Sequence, residues 1–146
     1  MSNILKVLVL GSILSGAVPA FAGERDVTLY KNPQCGCCEG YADYLRENGF
    51  AVTVKPTHDL SAMSREEGIP AEAEGCHLSF IDGYVVSGHV PVGTVNKLLT
   101  ERPDIKGVTL PGMPMGSPGM TGTKEAPFEI LEIQKSGGTG GVYARE

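Results

Sequence analysis

An α/β fold is what this chain predicts, and three observations predict it. Short β-branched runs alternate with segments of helical spacing, and Gly, Pro or Asn punctuates nearly every boundary. The order reads strand, helix, strand, helix, hairpin, helix, which is a βαβ unit followed by a ββα unit. A chain of 146 residues accommodates one domain with a substantial core.

Taken in order, "DVTLY" at 26–30 reads as a strand that Asn32-Pro33 turns. Tyr41, Tyr44 and Leu45 then recur at helical spacing, and Asn48-Gly49 closes that helix. "FAVTV" at 50–54 is a second strand, ended by Pro56. Asp59 is the expected N-cap of a short helix through "LSAMSREE", stopped by Gly68 and Pro70. "HLSFIDGYVVSG" places two apolar runs around Asp82-Gly83 and predicts a hairpin. Val92, Val95, Leu98 and Leu99 mark one face of a helix that Pro103 ends. Residues 107–123 carry no charge, are dense in Gly, Pro and Met, and read as a loop. "FEILEIQKSGGTGGVYARE" completes the chain as a C-terminal hairpin. This is the element order of a thioredoxin-like domain, and a C-x-x-C falls after the first strand, where that fold carries its own.

Residues 1–22 stand outside this pattern. They hold one cation, Lys6, then a short apolar run, then the small-residue ending Ala20-Phe21-Ala22, the layout of a secretory signal peptide cut after Ala22. The run is too short and too broken by Gly and Ser for a bilayer span, so no stable membrane anchor is expected. Residues 23–146 are then a single exported domain, placed in the periplasm. Losing Lys6 takes the formal charge from −5 to −6, which argues against nucleic acid as a partner.

The chemistry sits in the cysteines. Cys35, Cys37 and Cys38 occupy three of four positions at the start of a helix, where free N–H groups and the dipole favour thiolate. Thiolate both attacks disulfides and binds metals, so the motif alone does not choose between them. Three close anionic sulfurs repel unless a cation sits among them. Cys76, just ahead of a strand, is expected to deliver a fourth sulfur to the same pocket. A sulfur-rich, oxygen-poor site selects soft metals, Cu(I) first and zinc second. Met113, Met115 and Met120 offer thioethers, which suit Cu(I) rather than zinc. His77 and His89 border the pocket on sequence position, while His58 reads as surface.

"VTLYKNPQCGCC", "GCHLSFIDGYVVSGHVP", "LLTERPDIKGVTLPGMPMGSPGM" and "FEILEI" resemble, in order and spacing, an exported bacterial metal-binding family of formerly unknown function that includes the copper-resistance protein CopG. The resemblance implies a thioredoxin-like fold and several Cu(I) ions held through cysteine sulfur as a multinuclear cluster, in periplasmic copper tolerance. By position it implies Cys35, Cys38 and Cys76 as ligands with Cys37 alongside, His77 and His89 as near neighbours, and Met113 and Met120 from the loop. Met115 falls at the variable place of that motif. The partners implied are copper ions and other periplasmic copper-handling proteins, and the chain reads as a metal-binding protein more than an enzyme. The alternative is a thiol-disulfide oxidoreductase, against which stands the absence of tryptophan. "YKNPQCG" also looks like the opening of arsenate-reductase-type proteins, but the arginines such chemistry needs are isolated in sequence.

Overall fold

The structure, a computed structural model, describes residues 24–146; the signal-peptide assignment at 1–22 lies outside the described residues. Strand β1 (Arg25–Lys31) leads into helix α1 (Gly36–Glu47), then β2 (Phe50–Pro56) and α2 (Leu60–Glu66). A single 3₁₀ turn (Ala71–Ala73) precedes the hairpin of β3 (His77–Ile81) and β4 (Tyr84–Ser87). Helix α3 (Val92–Glu101), β5 (Gly107–Thr109), β6 (Glu129–Ile133) and β7 (Thr139–Arg145) complete the chain.

The strands form one mixed sheet in the order β2-β1-β3-β4-β5-β6-β7. β1 pairs parallel with β2 and antiparallel with β3, and β3 pairs antiparallel with β4. β5 runs parallel to β4, and β5, β6 and β7 then alternate as an antiparallel meander. The expected C-terminal hairpin is therefore present, and the sheet extends through it.

Strand alternation divides the core in two. One face packs Val27 and Leu29 of β1 and Ile81 of β3 against Tyr41, Ala42 and Leu45 of α1 and Val95, Leu98 and Leu99 of α3. On the other, Leu78, Val85 and Ile133 meet Ile69 and Ala73, with Leu60 and Met63 of α2 against them.

Two local expectations are corrected. Residues 107–109 are a strand, not loop: "GVT" is too short to show periodicity, and its place is set by pairing with β4 and β6 on either side. Asp59 occupies the N-cap position of α2, but its side chain makes no capping bond; its N–H instead donates to Thr57 Oγ1 at 3.1 Å.

Candidate metal centre

The turn after β1 is set by Asn32, whose backbone oxygen accepts the Cys35 N–H (3.0 Å) and whose Oδ1 accepts the Gln34 N–H (3.1 Å). Cys35 is the N-cap of α1, with extended rather than helical backbone (φ −78°, ψ 96°). That departure swings its sulfur over the first turn. Cys35 and Cys38 are joined as a disulfide with Cα atoms 5.4 Å apart. The Cys37 sulfur, free and partly exposed, lies 3.4 Å from that of Cys35.

Cys76 reaches the same place from the other side because two backbones touch. A Cβ on Gly75 would stand 2.3 Å from the Gly88 Cα, so only glycine lets the segment before β3 lie against the end of β4. The Gly75 N–H donates to Ser87 Oγ at 2.9 Å and locks the contact. This puts the Cys76 sulfur 3.4 Å from that of Cys38, 2.8 Å from His89 Nε2 and 3.6 Å from His77 Nδ1.

The imidazoles are buried beneath the sulfurs. His89 Nδ1–H donates to the Pro118 carbonyl at 2.5 Å, since a carbonyl only accepts. Nε2 is thereby left with its lone pair aimed at Cys76. That is how metal-binding histidines are commonly oriented, with the far nitrogen fixed by a backbone oxygen. His77 and His89 stack near Tyr41, with ring centroids 4.4 and 5.3 Å away. Tyr41 is itself pinned by its hydroxyl donating to Val90 O at 2.8 Å. Burial depresses both histidines below the ordinary imidazole value, His77 strongly, with the neighbouring His89 adding to it. Both are neutral bases at neutral pH. The Cys76 thiol is pushed up to about 12, first by burial and then by the nearby Cys37. Without a metal it is a thiol whose S–H faces the His89 lone pair.

The methionine loop closes the third side. Met113, 52 % exposed, brings its sulfur 4.0 Å from that of Cys37. Gly119 lies on the first turns of α1 with φ +80°, close enough that a Cβ would stand 2.5 Å from Tyr41 N and 2.9 Å from Cys37 O. Met120 follows, half-buried, its N–H donating to Ser117 O at 2.9 Å. Met115 lies against Gly122 and lines a groove of about 400 Å³ with Leu110, Pro111, Pro114 and Phe128, which no cysteine lines. His58 is exposed. Arg46, Arg102 and Arg145 pair with Asp43, Asp82 and Glu129 rather than framing an anion beside Cys35.

Two sets of donor atoms each lie within 4.8 Å of one another: the four sulfurs of Cys35, Cys37, Cys38 and Cys76, and Cys38 and Cys76 with His77 and His89. They share two sulfurs. This chemistry fits a soft cation. Sequence reasoning missed Lys31, which is buried under the cysteine turn with its Nζ 3.2 Å from Cys35 O. The signal was available, because Val27 and Leu29 are core positions and residue 31 continues their alternation. The Pro118 carbonyl had no side-chain signature to find.

Fold and site together define a small α/β protein with a cluster of sulfurs and imidazoles able to hold a metal ion. The chain belongs to the DUF411 family, described as proteins of unknown function, whose pattern matches residues 73–120. It is similar to solved structures of the copper resistance protein CopG in two forms. One is 36 % identical with a TM-score of 0.76, over 84 % of this chain and 98 % of that one. The other is 37 % identical with a TM-score of 0.74, over 83 % and 96 %. No curated protein matches the chain at a significant level.

Proposed function

We propose that this protein is a periplasmic copper(I)-binding protein of copper resistance, holding several copper ions as cargo through its cysteines. The observation that carries the reading is the convergence of four sulfurs, from α1 and from the segment before β3, within 4.8 Å. Similarity to CopG over nearly the whole described chain supports copper as the metal. Cys35, Cys37, Cys38 and Cys76 are the sulfur ligands, His89 and His77 the nitrogen donors beneath, and Met113 and Met120 the loop thioethers. Sulfurs shared between coppers leave less uncompensated negative charge than one copper among four thiolates. That favours a cluster. Residues 1–22 support export to the periplasm, and the β2-β1-β3-β4 order with a C-x-x-C after β1 supports a thioredoxin-like core. Anaerobic titration of the reduced protein with Cu(I) tests this. Tight uptake that Cys76→Ser cuts sharply is expected, and less than one equivalent held would end the reading.

One observation favours a second reading, a thiol-disulfide oxidoreductase: Cys35 and Cys38 are paired, with the free thiol of Cys76 3.4 Å from Cys38. Turnover of a disulfide substrate such as insulin at a rate abolished by Cys35→Ser would support it. Inactivity there removes it.

A further inference from the structure

Lys31 is 2 % exposed, unusual for an unmodified lysine, and its position explains why it is tolerated. It ends β1 on the core face, opposite His77 in the register with β3. Its Nζ lies 3.3 Å from Asn32 O, 3.4 Å from Pro33 O and 3.2 Å from Cys35 O. The carboxylate of Glu39, 53 % exposed, stands 2.9 Å away on the first turns of α1. The turn that presents Cys35 and Cys37 is therefore wrapped around one ammonium, whose N–H groups face three carbonyls and one carboxylate. Burying a charge this way is costly unless every donor is matched, as it is here.

We propose that Lys31 is a positioning residue of the cysteine site: its ammonium gathers the carbonyls of the 32–35 turn, so that the Cys35 and Cys37 sulfurs converge, and places positive charge against the backbone that carries them. Glu39 holds the ammonium from the solvent side and moderates its charge. The part of this that concerns copper rests on the copper-binding reading; the part that concerns the thiols does not.

The metal-free protein separates the two. Equilibrate it with glutathione, so that the Cys35–Cys38 bond accepts two electrons and two protons from two glutathione thiols, giving two cysteine thiols and one glutathione disulfide. Reduction places more electron density on the two sulfurs than the disulfide holds, so a buried cation against the turn that carries them favours it. Lys31→Met, which keeps the apolar stem, is expected to make the disulfide about tenfold harder to reduce, about 30 mV for a two-electron couple. Lys31→Arg, which keeps the charge, should stay within about threefold of the native protein, a rescue that packing alone would not produce. Glu39→Gln alters an exposed side chain and folds whatever becomes of the lysine variants. With its partner gone the ammonium acts undiminished, and the disulfide becomes easier to reduce. Lys31→Met shifted by less than about twofold, Lys31→Arg shifted as far as Lys31→Met, or Glu39→Gln unchanged would each overturn the proposal. In an anaerobic chelator competition Lys31→Met should also bind Cu(I) about tenfold more weakly. A native protein that binds no Cu(I) sinks the functional reading and leaves the thiol result to stand or fall alone.

Discussion

Replacing Gly119 by alanine separates the methionine loop from the metal centre without altering any sulfur or imidazole. Gly119 has φ +80°, and a side chain held in the left-handed region costs about 1–2 kcal/mol. The new methyl would also stand 2.5 Å from Tyr41 N and 2.9 Å from Cys37 O, where ordinary contacts are about 3.5–4.0 Å. Helix α1 is held by its buried face, so the loop gives way, by about 1 Å. The adjacent Pro118 carbonyl, 2.5 Å from His89 Nδ1, moves towards the limit of hydrogen bonding. Losing that bond adds about 0.5–1.5 kcal/mol, for a total of about 1.5–3.5 kcal/mol. Urea unfolding of the metal-free protein should show a loss of that size. Anaerobic competition against a chromogenic chelator should show weaker Cu(I) binding and faster release, because Met113 and the His89 clamp leave together. A variant that loses stability but binds and releases Cu(I) like the native protein would refute the reasoning, and would make the loop a cover only.

The two nitrogens of His89 have separate partners, Cys76 and the Pro118 carbonyl, and two variants test them apart. His89→Ala removes both nitrogens and leaves a cavity, costing about 2–4 kcal/mol in a urea melt. His89→Asn retains an amide N–H two bonds from Cβ, where Nδ1 sits, so it should recover part of that stability yet bind Cu(I) as poorly as His89→Ala; native affinity in the Asn variant would show that Nε2 is no ligand. The histidines also set a pH dependence. Their folded pKa values are depressed, so below about 6.5 the unfolded chain takes up protons that the folded chain refuses. Stability of the metal-free protein is therefore full above that pH and falls below it, with a limiting slope of about 1.4 kcal/mol per pH unit for each imidazole. His77→Gln should flatten the slope, and a slope unchanged in that variant would contradict the assignment. Finally, protein denatured without reductant should show two reactive thiols, Cys37 and Cys76, and four after reduction. Four at the outset would mean that the pairing does not form in solution.

Most of the fold was legible because its elements are long enough to display their period. β1, α1, the Asp82-Gly83 hairpin and α3 fall where alternation, helical spacing and turn residues place them. β5 was not legible, since three residues show no period and their partners on β4 and β6 are about twenty residues distant on each side. At the site, the residue types were readable and the contacts between distant parts were not. Cys76 was expected beside Cys38 from element order alone. The means of bringing it there, Gly75 against Gly88, is a contact between two backbones that no local pattern encodes. Lys31 went unremarked because a lysine at the end of a strand is usually solvated; the alternation through Val27 and Leu29 was the stronger signal.

The disulfide and the proposed copper site draw on the same atoms, so they are alternatives and not additions. Cys35 and Cys38 supply half of the four-sulfur set, and neither is a thiolate while they are joined. What the disulfide leaves is the Cys76 thiol facing His89, with Cys37 and Met113 at the rim. The Cys37 and Cys76 sulfurs already lie within 4.8 Å of one another, and each is also 3.4 Å from one end of the bridge. Opening the bridge therefore does more than add two ligands. It places Cys35 beside the outer thiol–thioether pair and Cys38 beside the inner thiol–imidazole pair, and Cys38 is both fully buried and, with Cys76, common to both donor sets, whereas Cys37 belongs to one set and lies at the rim. On this geometry Cys38→Ser should weaken Cu(I) binding more than Cys37→Ser, although both variants remove one sulfur.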